Sequence, residues 1–242
     1  MMGQVIATMS SATKSFDKQK VLDNINLELQ AGKIVGIIGP SGAGKSTAIR
    51  CLMGMEKLDQ GSADIFDTKM PNRKILKRIG YMGQNDALYD DLSGKENLVF
   101  FGSLMGLTGT ALDRAIEKNM QLVDLLDFLN KPVKTYSGGM KRRLSLAITL
   151  LSNPDLFVLD EPTVGIDPSL RVAIWEQLRE LANNNKGIIM TTHVMDEAEK
   201  CDYVGLIIEG KLFAFGSPKE LEEQFKVTSI EEVFLKAEVN AK

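Results

Sequence analysis

Gly39-Pro40-Ser41-Gly42-Ala43-Gly44-Lys45-Ser46-Thr47 is the stretch on which the reading of this chain turns. It fits Gly-x-x-x-x-Gly-Lys-[Ser/Thr], the pattern of a phosphate-binding loop. The apolar run Ile34-Val35-Gly36-Ile37-Ile38 before it predicts a buried strand, and Ala48 to Met53 after it predicts a helix. That strand–loop–helix context is the one the pattern requires. Glycines let successive backbone N–H groups turn inward on an anion, and the helix N-terminus adds the positive end of its dipole. Lys45 supplies a point charge for the β- and γ-phosphates, and Ser46 offers a hydroxyl to Mg²⁺.

A second run, Leu156-Phe157-Val158-Leu159, is continuously apolar and predicts a central parallel strand buried on both faces. It ends in Asp160-Glu161-Pro162. Adjacent carboxylates at the end of a buried strand cost desolvation unless they have partners or work to do. With a phosphate loop upstream the work is legible: Asp160 anchors Mg²⁺, directly or through water, and Glu161 polarises the attacking water. Gly187 to Thr192 reads as the next buried strand and leads to His193, the one histidine of the chain. A lone histidine is commonly surface or satisfied core. At a strand end beside the phosphate site it can instead reach a γ-phosphate and the attacking water. Ile79 to Met82 predicts another strand, and Gln84 just past it falls where α/β sheets open their ligand crevice.

Composition sets the outer limits. The chain has 242 residues, 44% hydrophobic and 25% charged, enough for a sizeable core in one or two domains. Its net charge of −3 argues against nucleic-acid binding by electrostatics. Cys51 and Cys201 lack metal spacing and read as reduced packing residues of a cytosolic protein. No apolar run approaches the roughly 18 residues of a membrane span, and the N-terminus reads as carrying no signal peptide. Action on a membrane would therefore need another chain to supply the span.

The remaining segments fill in around these anchors. Residues 4–29 read as β-structure, with Ile25, Leu27 and Leu29 alternating with polar neighbours. Phe16 is placed in a polar turn, Lys14 to Lys18, either packing locally or covering a flat ligand. From about Asp86 to Thr135 the pattern is helical, opened by the capping box Ser93-Gly94-Lys95-Glu96. Tyr136-Ser137-Gly138-Gly139-Met140-Lys141-Arg142-Arg143 then begins a helix whose start is unfavourable on dipole grounds. Its cations suit either a docked anion or a solvated basic face. Asp167-Pro168 and Ser217-Pro218 each pair a cap with proline at the first helical position. The tail predicts a short helix from Ser229 to Leu235, fraying from Ala237 to Lys242.

Taken together, these motifs are similar to those of the ATP-binding subunits of ATP-binding cassette (ABC) transporters, over about residues 4–235. Gly39 to Ser46 resembles the Walker A loop, Gln84 the Q-loop glutamine, and Ser137-Gly138-Gly139 the core of the family signature. Leu156 to Glu161 resembles Walker B with its catalytic glutamate, Asp167 the D-loop aspartate and His193 the switch histidine. Phe16 stands where the family places an aromatic on adenine. Tyr136 and Met140 depart from the commonest signature, Leu-Ser-Gly-Gly-Gln. Together with Ile230-Glu231-Glu232-Val233-Phe234-Leu235, they resemble the multidrug, antibiotic, lipid and polysaccharide exporter branch.

The resemblance implies an α/β fold: a P-loop NTPase core of the RecA-like type, an N-terminal antiparallel β-subdomain and an inserted α-helical subdomain. It implies a single ATPase domain over 1–242. Residues 4–85 and 155–220 would form the β-subdomain and core, 86–154 the helical subdomain, and 221–242 C-terminal helices. ATP and Mg²⁺ are the implied cofactors. Gly39, Pro40, Ser41, Gly42, Ala43, Gly44, Lys45, Ser46 and Thr47 would hold the nucleotide. Ser137, Gly138, Gly139, Met140 and Asp167 would meet it from a second subunit, self or paralogue, in a head-to-tail dimer. Ser46, Gln84 and Asp160 would surround the metal, with Glu161, His193 and Gln84 catalytic. The implied partner is a separate transmembrane permease, placing the chain peripherally on the cytoplasmic face of the cell membrane.

Three rivals are weighed against this. A soluble cassette ATPase acting on the ribosome or DNA would carry two cassettes or a long coiled coil, and neither is visible. A nucleotide-gated module without turnover is disfavoured by intact Glu161 and His193. A GTPase would read Asn-Lys-x-Asp, where this chain has Asn130-Lys131-Pro132-Val133.

Overall fold

The computed structural model describes residues 3–240. Two long antiparallel strands come first, β1 (Val5–Phe16) and β2 (Gln19–Gln30), then β3 (Ile34–Ile38) leading into α1 (Lys45–Leu52). Strands β4 (Gln60–Ile65), β5 (Thr68–Lys69) and β6 (Ile79–Met82) follow. Next come three helices, α2 (Gly94–Leu104), α3 (Gly109–Leu122) and α4 (Gly138–Leu150). The chain then alternates through β7 (Leu156–Asp160), α5 (Pro168–Asn183), β8 (Gly187–Thr191) and α6 (Met195–Ala198). It ends in the hairpin β9 (Tyr203–Ile208) and β10 (Lys211–Gly216) and the helices α7 (Pro218–Phe225) and α8 (Ile230–Asn240).

Two sheets result. One is antiparallel, in the order β2-β1-β4-β5; the other has the order β10-β9-β3-β8-β7-β6. In the second sheet β9, β3, β8, β7 and β6 run parallel, and only β10 pairs antiparallel. Every residue of β3, β7 and β8 is buried, as strands covered on both faces require. The two faces serve two cores. Val35, Ile37, Val158 and Ile189 pack with the antiparallel sheet and α1. Their neighbours Ile34, Ile38, Phe157, Leu159, Ile188 and Met190 pack toward the helices. Each fully buried aliphatic or phenyl side chain contributes about 1.5–3 kcal/mol. The alternation therefore fixes strand register, since a one-residue slip would exchange the faces.

This topology positions the motifs. Because β3, β6, β7 and β8 are parallel, their C-terminal ends open on the same side of the sheet. The loop after β3, Gln84 after β6, Asp160 at the end of β7 and His193 after β8 thus reach one edge. This is the crevice position of open α/β sheets.

Several expectations are corrected. Lys14, Ser15 and Phe16 belong to β1, paired with β2, and the turn is only Asp17-Lys18. The helical pattern read from about Asp86 to Thr135 is not continuous: its second helix, α3, stops at Leu122. Asp124 there takes a left-handed conformation (φ 52°) before a single 3₁₀ turn over Leu126–Phe128. The C-terminal helix does not fray at Ala237. It runs to Asn240, and Ala237 is buried with Ile230 and Val233 in the helical core; the last two residues of that expectation lie outside the described residues.

Candidate functional site

The phosphate loop folds as its glycines require. Gly44 adopts φ 104°, and a side chain there would meet the Val21 carbonyl oxygen at 2.7 Å, so the loop can close against β2 only with glycine. Gly44 is also the residue preceding α1, whose first turn holds Lys45 and Ser46. Lys45 Nζ donates to the carbonyls of Gly39 (2.8 Å) and Pro40 (2.9 Å), which holds the ammonium across the loop. Burial pulls the Lys45 pKa below the ordinary lysine value, opposed by the charges of Glu161 and Asp160.

Across from Lys45, Asp160 is buried to 1% exposure at the end of β7. Its Oδ1 accepts from Ser46 Oγ at 3.2 Å and from Thr191 Oγ1 at 2.5 Å. Its Oδ2 is buried and has no hydrogen-bond partner. An unsatisfied oxygen on a buried carboxylate is costly, and beside a serine hydroxyl it is suited to a hard cation with oxygen ligands. No cluster of three His, Cys, Asp or Glu exists among the described residues. The hard oxygen donors Ser46 Oγ and the Asp160 carboxylate fit Mg²⁺, which takes one or two protein oxygens and completes its shell with water and phosphate.

Glu161 follows in the left-handed region, φ 53°, a conformation that costs a non-glycine residue about 1–3 kcal/mol. It is held there by its neighbours. Its N–H donates to the Thr191 carbonyl (3.2 Å) and to Thr191 Oγ1 (3.0 Å). Its carboxylate Oε1 lies 3.4 Å from His193 Nδ1. Gln84 and Glu161 line one cleft of about 250 Å³ with Ser41, Gly42, Lys45, Ser46 and Thr47, and Val21 of β2 joins them. A strained acid beside a histidine, facing Lys45 and next to the Ser46 and Asp160 oxygens, has the placement that water attack on a bound phosphate would require.

The other candidates fall elsewhere. Phe16 does not line the cleft; it is 41% exposed at the end of β1, with Lys14 Nζ 4.8 Å from its ring centroid. Ser137, Gly138, Gly139, Met140 and Asp167 also lie outside the cleft lining. They gather at another surface. Ser137 caps α4, its Oγ accepting from Met140 N at 3.2 Å, while Met140 is half-buried against the helical core. Gly139 passes so close to the loop before Asp167 that a side chain would sit 2.9 Å from the Gly165 carbonyl oxygen. Asp167 caps α5, accepting from Leu170 N at 3.0 Å. The hydrogen bonds to Leu170 and Ser169 hold its carboxyl below the ordinary aspartate range, with Ser169 the larger influence.

Two kinds of functional residue escaped the sequence reading. Thr191 bonds both Asp160 and Glu161; its one visible signal is its place two residues before His193. The cations after the signature are already engaged by groups of this chain. Lys141 pairs with Asp90 (2.7 Å), Arg143 donates to the carbonyls of Val123 and Asp124, and Arg142 is buried.

Known proteins resemble the chain in sequence and in fold. Residues 22–164 match the family described as ABC transporter. The chain is 37% identical over 219 residues to the Nod factor export ATP-binding protein I of Ralstonia nicotianae, covering 89% of this chain and 68% of that protein. It is 35% identical over 224 residues to the probable multidrug ABC transporter ATP-binding protein YbhF of Escherichia coli, covering 92% of this chain and 39% of that protein. A solved structure of the ATP-binding subunit of an ABC transporter superposes with a TM-score of 0.89 at 25% identity, over 96% of this chain and 99% of that one.

Proposed function

The chain belongs to the ABC transporter family, and on that premise we propose that it is the ATP-hydrolysing subunit of an exporter, working on a separate membrane permease. One observation carries the reading: Lys45, Ser46, Asp160, Glu161 and Gln84, from separate stretches of sequence, converge at one cleft. Under this proposal the loop N–H groups and Lys45 hold the β- and γ-phosphates. Ser46 and Asp160 hold Mg²⁺ with Gln84 beside them; the ion, when bound, neutralises charge on the phosphate oxygens. Glu161 orients a water and accepts its proton as the water oxygen bonds to the γ-phosphorus and the bridging bond to ADP breaks. His193, at 3.4 Å, fixes the Glu161 carboxylate and reaches toward the same water.

The whole chain acts as one ATPase unit in this reading, with 86–154 as its helical arm and α7 and α8 closing its C-terminal end. The exposed surface at Ser137, Gly138 and Asp167 closes over the nucleotide of a second subunit, head to tail. Phe16 covers the adenine. Among the described residues no helix is long and apolar enough to cross a membrane, which suits a peripheral subunit on the cytoplasmic face. A groove lined by Tyr81, Gln84, Leu88, Phe101 and Met105, rimmed by the exposed Tyr89 and Phe100, receives the permease. Export rather than import follows the names of the Nod factor and multidrug relatives.

Glu161→Gln tests the chemistry. It should bind ATP with near wild-type affinity and lose turnover by about 10²–10³-fold, the usual scale for removing a general base. Hydrolysis at the wild-type rate would remove Glu161 from this role.

A further inference from the structure

Arg142 sits in the first turns of α4, five residues past the Ser137 cap, yet it is 7% exposed. A buried guanidinium is costly unless its N–H groups are all engaged. Here each nitrogen is. Nε donates to the Glu161 carbonyl at 3.3 Å. Nη1 donates to the carbonyls of Gly83 (2.7 Å) and Gln84 (3.3 Å) and to Asp86 Oδ1 (3.3 Å). Nη2 donates to the Asp160 carbonyl and to the Glu161 carbonyl at 2.9 Å. One planar group thus joins the helix of the signature, the loop that carries Gln84 and the backbone of both candidate catalytic acids. The next residue gives the contrast. Arg143 spends its guanidinium within the helical arm, on Val123 and Asp124.

We propose that Arg142 is the positioning residue through which the helical arm sets the Gln84 loop and the Asp160-Glu161 pair as one unit. Its two ends explain the direction of the effect. Glu161 is held left-handed, and Arg142 donates to the carbonyl of that strained residue while Thr191 accepts from its N–H. The Gln84 loop also lines the exposed aromatic groove, so a shift of α4 or of that loop is transmitted to the catalytic acids through a rigid, forked group. Phosphate binding by Lys45 and the loop N–H groups does not involve Arg142.

The inference rests on Asp160 and Glu161 being the hydrolytic pair, and the test separates the two. Wild-type protein without ATPase activity would sink that assignment; active wild-type protein with unaffected variants would sink only the role of Arg142. Arg142→Gln should lower kcat at least about tenfold while KM and magnesium-free ATP affinity stay within about threefold. Arg142→Lys should recover part of the loss, because a point charge replaces the cation but not the fork. Asp86→Asn, which weakens only the loop arm, should lower kcat a few-fold with melting unchanged, and it serves if Arg142→Gln does not fold.

A readout independent of turnover is the distance between nitroxides on Glu28→Cys in β2 and Glu117→Cys in α3, both exposed positions. Cys51 and Cys201 are buried, and burial pushes the Cys51 thiol up to about 11, so neither competes for label. The distribution should be narrow with Arg142 present and broaden in Arg142→Gln. Unchanged kcat, or unchanged distances, or ATP affinity falling in step with kcat and melting temperature, would each overturn the proposal.

Discussion

At the scale of single residues, the candidate site depends on side chains that hold other side chains. Thr191 is the clearest. Its hydroxyl donates to Asp160 at 2.5 Å and accepts from the Glu161 N–H at 3.0 Å. Thr191→Val keeps the shape and removes both hydroxyl bonds: the buried Asp160 carboxylate keeps only its Ser46 donor, and the Glu161 N–H keeps only the Thr191 carbonyl. It should cost about 1–3 kcal/mol in urea unfolding and lower turnover more than ATP affinity. Retained stability would mean that water replaces the hydroxyl. The residues with motif spacing were legible in the sequence, because phosphate binding demands particular types at particular intervals. Arg142, Thr191 and the buried Glu197, which accepts from Thr163 (2.5 Å) and Thr192 (2.7 Å), were not. Arg142 meets partners 18 to 59 positions away, and no local pattern announces such contacts.

At the scale of elements, the local rules held where they were strongest. The reciprocal capping bonds of Ser93 with Glu96 and of Ser217 with Glu220 are both present, and Asp167 caps α5 ahead of Pro168. Ser217→Ala should destabilise the protein by about 1 kcal/mol in thermal or urea unfolding, with no change in ATP affinity. Sequence reading failed at ends decided by tertiary contact. Ala237 carries no strong signal, yet packing with Ile230 and Val233 sustains α8.

Charge also works at this scale. Asp155 binds Arg78 at 2.8 Å and Lys186 at 3.0 Å, tying the entry to β7 to the starts of β6 and β8. The Arg78 bond, with that of Lys186, keeps the Asp155 carboxyl below the ordinary aspartate range. A carboxyl depressed in the folded state stabilises fully above its unfolded value and loses that contribution as pH falls through the folded one. The melting-temperature gap between wild type and Asp155→Asn should therefore be steady above about pH 4 and shrink below it. A gap that widens with acid would contradict the assignment.

At the scale of the whole molecule, the Walker A cleft and the signature lie on separate surfaces of one chain. Ser137 and Gly138 are exposed, and a side chain at Gly138 would meet nothing within 4 Å. The family resemblance made a dimer legible, but one chain cannot display a contact that a second chain completes. Under the proposed function ATP favours the closed pair and hydrolysis releases it, a ligand-driven population shift. The most direct test is the solution mass of Glu161→Gln by light scattering, with and without ATP. The mass should be twice the 26.6 kDa of the chain with ATP and that of a single chain without it, and Ser137→Arg added to the same protein should abolish the doubling while leaving ATP bound. A single-chain mass under saturating ATP, or a dimer indifferent to both ATP and Ser137→Arg, would contradict the proposed function.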